Sequence, residues 1–172
     1  MRPIRVGKPW ERIAIDIIWK HPKTRNGFEY MLTVMDHVSK WAEAYLLKDH
    51  KALTVAKVLV EQLFSREGMP YQLLYDQGPE FVGDRFMEIC KWMDINKART
   101  SPYCPACNGM IELYHRTLNS VLGKTMEENQ RDFDINVQFV MAAYQASVRD
   151  ATGYTPNFLT FAGRSAHLST SS

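Results

Sequence analysis

Acidic side chains draw attention where a chain holds them against their preference for water, and three positions in this sequence do so. Asp16 interrupts the apolar run Glu11-Arg-Ile-Ala-Ile-Asp-Ile-Ile-Trp19, with isoleucine on either side. A carboxylate buried there without compensation costs several kcal/mol, so it needs a partner, a proton or a metal ion. Asp76 directly follows the apolar stretch Tyr71–Tyr75 and precedes Gln77-Gly78, at the carboxyl end of a strand, where α/β sheets place their ligands. Glu112 stands in the first turn of a long helical pattern, just after a proline-containing stretch. The chain has 19 acidic residues, and each of these three also has an ordinary structural account. Asp16 can pair with Arg12 or Lys40, Asp76 can cap the turn at Gly78, and Glu112 can favour a helix N-terminus. Taken singly, the three residues favour that ordinary account.

The elements that must position them follow from hydrophobic period. The isoleucine-rich run Glu11–Trp19 reads as a buried strand. Lys20 to Gly27, with Pro22 and Asn26, suits a hairpin connection, and Phe28–Met35 and Trp41–Leu47 read as the second and third strands. The period then changes. Leu53, Ala56, Leu59, Val60, Leu63 and Phe64 mark one face of a helix over Ala52–Arg66, ended by Gly68 and Pro70. Tyr71–Tyr75 and Ile95–Arg99 are short strands around a helix at Phe81–Met93. Thr100–Asn108 is a loop, Gly109–Asn129 and Asp134–Val148 are helices, and Tyr154–Gly163 holds a last helical turn. A three-stranded meander followed by helix–strand units implies an α/β fold: a five-stranded mixed sheet flanked by helices on both faces.

The motifs around the carboxylates carry more than the residues do alone. Tyr75-Asp-Gln-Gly-Pro-Glu-Phe81 and Ser101-Pro-Tyr-Cys-Pro-Ala-Cys-Asn-Gly-Met-Ile-Glu112 resemble the catalytic core of retroviral and gypsy-type (Ty3-like) retrotransposon integrases. In that family an Asp-Gln-Gly-x-Glu-Phe motif carries the second catalytic aspartate, and a Pro-Tyr-His-Pro-Gln-x-Asn-Gly-x-x-Glu motif carries the glutamate. Here 35 residues separate Asp76 from Glu112, the family's signature interval. Pro9-Trp10-Glu-Arg-Ile-Ala-Ile-Asp16 is similar to the strand bearing the first aspartate. Asp36 through Ser39-Lys40-Trp41 matches the start of the third strand, and Thr152-Gly-Tyr-Thr-Pro156 a motif near the domain's end. The resemblance sets the domain limits: 1–8 as an N-terminal extension, 9–164 as the integrase core and 165–172 as a disordered tail.

The resemblance implies an RNase H-like fold in which Asp16, Asp76 and Glu112 hold two divalent ions, Mg²⁺ or Mn²⁺, with the two aspartates on adjacent strands. The residue types suit the chemistry. Hard cations take carboxylate oxygens and keep water positions for substrate phosphates. Two ions roughly 4 Å apart can activate the attacking oxygen and stabilise the leaving one in an in-line displacement at phosphorus. The implied reactions are DNA 3′-end processing, with water attacking, and strand transfer, with a DNA 3′-hydroxyl attacking. The implied partners are DNA, both element ends and target, and further copies of the chain as a dimer or higher oligomer, with no membrane. Glu112, His115, Arg116 and Asn119 share one helix face and, with Tyr103, Asn108 and Lys124, form the implied DNA-binding set.

The sequence departs from the family near Glu112. The usual Tyr-His-Pro-Gln is Tyr103-Cys104-Pro105-Ala106, with Cys107 next, and after the glutamate Leu113-Tyr-His115-Arg116-Thr117-Leu118 stands for Arg-x-Asn-Arg-Thr-Leu. Trp19-Lys20 replaces the Gly-Pro that usually follows the first aspartate. These departures support a second reading, a domesticated or decayed module that binds nucleic acid or protein without catalysis. A related RNase H-like nuclease is a third reading, which the integrase loop motif disfavours. Cys104-Pro-Ala-Cys107 is half of a zinc site that Cys90 or His115 would have to complete, and incidental loop cysteines are the simpler account. Lys91, Lys97, Arg99, Lys124 and Arg131 form either a positive rim or ordinary solvated surface. His21, His37, His50 and His167 lack metal-ligand spacing, and Trp10, Trp41 and Trp92 are expected in the core.

Composition sets the outer bounds. The chain has 172 residues, 45% hydrophobic and 23% charged, enough for one domain with a real core, and a net charge of +2 that permits a nucleic-acid partner without arguing for one. Three cysteines make no disulfide framework and fit a reducing compartment, nuclear or cytoplasmic. Neither the zinc-binding His/His/Cys/Cys domain that usually precedes such a core nor the DNA-binding domain that follows it falls within these residues. The chain alone is therefore expected to be a poor complete integrase.

Overall fold

The computed structural model describes residues 7–18, 22–75, 81, 83–99 and 133–168. Five strands form one mixed sheet: β1 (Arg12–Ile18), β2 (Tyr30–Asp36), β3 (Ala42–Leu47), β4 (Gln72–Tyr75) and β5 (Asn96–Arg99), in the order β3-β2-β1-β4-β5. β1–β2 and β2–β3 pair antiparallel, while β4 runs parallel to both β1 and β5. The isoleucines of β1 are β-branched and suit a pleated, half-buried surface. Their period of two sends Ile13, Ile15 and Ile17 to one face, leaving Ala14, Asp16 and Ile18 on the other.

The first face carries the larger core. Helix α1 (Ala52–Val58) continues through a π-helical stretch (Leu59–Phe64) and a last turn (Ser65–Glu67). It buries Val55, Ala56, Leu59 and Leu63 against Ile13, Ile15, Leu32 and Leu73. The sequence places Leu53 on this face, but the buried stripe is centred near Leu59, so Leu53 falls to its flank and is exposed. Gly68 ends the helix at φ 86°, a backbone angle that L side chains rarely adopt. Helix α2 (Asp84–Trp92) adds Phe86 and Cys90 to the same core. Trp92, expected inside, is 83% exposed, because two positions beyond Cys90 on a helix is the opposite face.

The second face is covered over β2 and β3 by helix α3 (Phe133–Ala146), whose Val137, Val140, Met141 and Tyr144 pack on Met31, Met35, Ala42 and Ala44. Ala14 and Leu74, with Ala98 against them, make a small separate apolar patch on this face over β1, β4 and β5. Helix α4 (Pro156–Leu168) is longer than the single turn expected and runs four residues into the stretch read as a tail. Its start explains its persistence: Thr155 Oγ1 accepts the Phe158 N–H at 3.1 Å, and Pro156 follows at the first helical position, where its missing N–H costs nothing. The loop expected at 100–108 and the helix expected at 109–129 lie outside the described residues.

Candidate active site

Asp16 is the one proposed catalytic residue among the described residues, and its strand holds it from both sides. On β2 its Cα partner is Thr33, whose hydroxyl donates to the Asp16 carbonyl at 3.0 Å. On the other side the last parallel pair is Ile15 with Tyr75. Two parallel strands run the same way, so the residues next in sequence after this pair are Asp16 and Asp76. β1, which carries Asp16, and β4, which ends one residue before Asp76 in the sequence, are thus parallel neighbours. Asp76, Glu112 and the DNA-binding set Tyr103, Asn108, His115, Arg116, Asn119 and Lys124 lie outside the described residues.

The Asp16 carboxylate is half-buried on the face it shares with Ala14, opposite the isoleucine core. Its Oδ1 accepts the N–H of Ile17 at 2.8 Å, which orients the carboxyl group along the strand. Such an oriented oxygen donor on a central strand is chemically suited to a hard divalent cation. Among the described residues no group of three or more His, Cys, Asp or Glu lies together to hold an ion, so Asp16 needs contributors from the remaining residues to do so.

A second acidic position, Asp36 at the end of β2, is fully buried and serves the fold instead. It accepts the Trp10 N–H at 2.8 Å, and the Ser39 N–H and hydroxyl at 2.6 and 2.7 Å. Next to it the His37 side chain is held below the usual imidazole range by burial and then by the positive charges of Lys40 and Arg12, with Asp36 opposing. His50 packs at a tilt against Tyr30, ring centroids 4.8 Å apart. Cys90, the proposed third partner of the loop cysteines, is a core residue whose thiol burial pushes its pKa up.

A cavity of about 570 Å³ lies away from Asp16, at edge strand β3, between the end of α1 and helix α3. Glu43 sits at its wall, buried. It is bridged by Arg66 Nη2 at 2.5 Å and receives hydrogen bonds from the Tyr45 hydroxyl and, at 3.0 Å, from Trp41 Nε1. Burial, then the Glu43 charge, raises the Tyr45 pKa well above the usual phenol range, so its hydroxyl stays a donor. This ion pair joins a buried Glu43 to a half-exposed Arg66, two strands from β1.

Lys97 is the residue that sequence reasoning misplaced. Instead of lining a solvated rim, its ammonium lies 4.5 Å from the ring centroids of both Tyr75 and Phe86, and donates to the Phe81 carbonyl at 2.7 Å. The signal was present: period two from the buried Ile95 puts Lys97 on the core face of β5.

Comparisons with known proteins bear on this geometry. The integrase core domain family matches residues 7–105, more than half of the chain. The retrovirus-related Pol polyprotein from transposon 412 of Drosophila melanogaster is 26% identical over 159 residues, covering 92% of this chain and 13% of that polyprotein. The chain thus spans about an eighth of this relative's length. Among solved structures, the catalytic core domain of BIV integrase superimposes with a TM-score of 0.74 at 22% identity, over 92% of this chain and 99% of that one. The HTLV-2 integrase catalytic core domain in complex with magnesium gives 0.71 at 18% identity, over 89% and 97%. Both structures share the fold.

Proposed function

Because the chain belongs to the integrase core domain family, we propose that it is the catalytic core of a retroelement integrase, a polynucleotidyl transferase that processes DNA 3′ ends and joins them to target DNA with Mg²⁺ or Mn²⁺. The observation that carries this reading is the parallel register of β1 and β4, which ends on Ile15 and Tyr75 with an aspartate next in each strand's sequence. Two divalent ions held by Asp16, Asp76 and Glu112 would supply charge neutralisation at the attacking and leaving oxygens. Within that scheme Asp16 contributes a carboxylate whose strand is paired on both sides and whose Oδ1 is oriented by Ile17. Arg116, with Tyr103, Asn108, His115, Asn119 and Lys124, would engage DNA phosphates and loops. The substrate would be element-end and target DNA, the working form an oligomer, and the compartment a reducing one, nuclear or cytoplasmic.

The test is a strand-transfer assay, or its reversal on a branched DNA, with wild type, Asp16→Asn, Asp76→Asn and Glu112→Gln in Mg²⁺ and in Mn²⁺. Each substitution removes charge and little volume. Joining by the wild type and background signal from all three variants, with unchanged melting temperatures, is expected. Full activity in any variant removes that residue from the site. The altered loop Tyr103–Cys107 favours a second reading, a module that binds nucleic acid or protein without catalysis. DNA binding by the wild type with no joining in either metal would select it.

A further inference from the structure

Where β1 and β4 begin and β2 ends, polar side chains stand in one row across the sheet. The antiparallel register sets Asp36 opposite Ile13, so His37 comes next to Arg12, and its N–H donates to the Arg12 carbonyl at 2.9 Å. The parallel register sets Gln72 against Arg12 from the other side. Period two along β1 puts Arg12 on the face of Ala14 and Asp16, away from the isoleucine core. Lys40 adds a second cation from the turn after β2, its Nζ donating to the His37 carbonyl at 2.6 Å. Arg12 lies four residues before Asp16 on the same strand, about 13 Å along it, so the row is separate from the candidate active site.

The row is rich in donors and poor in acceptors. Arg12 Nε is buried without a hydrogen-bond partner, a costly state for a charged donor. Among the described residues neither Arg12 nor His37 has an ion pair to a carboxylate. The nearby Asp36 already has its oxygens taken by Trp10 and Ser39. Burial, then the Lys40 and Arg12 charges, disfavours protonation of His37, with Asp36 opposing, so positive potential gathers here. Arg12, His37, Lys40 and Gln72 are each only partly buried, which leaves the row open to a ligand from solvent. We propose that Arg12, His37 and Lys40, with the Gln72 amide beside them, form a binding site for a phosphate group, free or carried by nucleic acid. A guanidinium fork matches phosphate oxygens, and an ammonium, an imidazole N–H and an amide add donors for the oxygens that remain. Turning the fork outward onto such an anion gives Arg12 Nε its acceptor. The site stands independently of the role assigned to Asp16.

The experiment follows the ¹⁵N-labelled full chain by NMR, without divalent metal, during titration with sodium pyrophosphate and, at matched ionic strength, sodium chloride. Pyrophosphate should move the Arg12 Nε–H and His37 imidazole resonances to saturation, and chloride should not. Arg12→Gln should weaken the apparent Kd by roughly tenfold or more, because charge-assisted hydrogen bonds are the strong ones. Arg12→Lys, which keeps the charge and loses the fork, should weaken it less, and Lys40→Gln should weaken it as well. Equal shifts in chloride, or wild-type pyrophosphate affinity in Arg12→Gln, would overturn the proposal. Should Arg12→Gln not fold, the wild-type resonances decide: Arg12 and His37 signals unmoved by pyrophosphate refute the site. A DNA duplex identifies the source of the phosphate. A backbone phosphate in the site makes the salt dependence of DNA binding shallower by about one in Arg12→Gln. An unchanged slope beside lost pyrophosphate binding assigns the site to a free phosphate. Since no arm reads DNA joining, failure here leaves the catalytic reading standing, and inactive joining leaves this site standing.

Discussion

Two carboxylates near one another in the sheet have opposite roles, and their surroundings say why. Asp36 is fully buried and takes three hydrogen bonds, two from Ser39 and one from Trp10, so it closes the β2–β3 turn and pins the chain that enters β1. Asp16 is half-buried, with one carboxyl oxygen turned to its neighbour's N–H, a geometry that leaves a carboxylate near solvent on a central strand. Mutation should separate the two. Asp36→Ala leaves buried donors behind, each costing about 1–3 kcal/mol when unsatisfied, and should lower stability by roughly 3 kcal/mol in chemical denaturation. Asp16→Asn keeps the side-chain volume and an oxygen for the Ile17 N–H, so it should change stability by less than about 1 kcal/mol yet remove metal-dependent joining. A large stability loss in Asp16→Asn would assign that residue to the fold.

At the scale of elements, the turn Asp36–Trp41 and helix α1 make distinct predictions. His37 has a lowered pKa because burial and the Lys40 and Arg12 charges disfavour its protonated form. Between its folded value and the unfolded value near 6.5, the unfolded chain binds more protons, so stability rises with pH through that window. The contribution is fully present above about pH 6.5 and is lost as pH falls through the folded value. Melting temperature should therefore drop between neutral and mildly acidic pH, and His37→Gln should flatten that part of the curve. In α1, Leu63 is completely buried between the helix and the sheet. Leu63→Ala should cost about 2–5 kcal/mol by denaturant melting. Leu53→Ala, at an exposed position of the same helix, should cost under about 0.5 kcal/mol.

For the whole molecule, the proposed site joins carboxylates from separate parts of the chain, and folding must bring like charges together. Clustered carboxylates hinder one another's ionisation, and a divalent cation relieves that repulsion. An ion that binds only the folded state stabilises it by mass action. Millimolar Mg²⁺ or Mn²⁺ at neutral pH should therefore raise the melting temperature, by about 2–4 °C per kcal/mol for a chain of this size. Asp16→Asn should lose most of the rise. An unchanged melting temperature in the wild type would count against the site.

Local pattern was enough for the strands: β1 lies in an isoleucine-rich apolar run of strand length, and β3 falls in the alternating stretch Trp41–Leu47. It determined the pairing of motifs with strand ends, since Asp16 and Asp76 each stand in or after an apolar run of strand length. Local pattern could not fix the sheet order β3-β2-β1-β4-β5, because hydrogen bonding between β1 and β4 joins segments more than 50 residues apart and no local propensity encodes it. Trp92 and Leu53 show the same limit on helices: an apolar residue satisfies a pattern from sequence, but only the packed neighbour decides which edge of the stripe is buried. Lys97 shows it for charge. A lysine on a short edge strand reads as solvated, and its inward seat depends on three aromatic rings, Tyr75, Phe81 and Phe86, that come together only when β4, β5 and α2 pack.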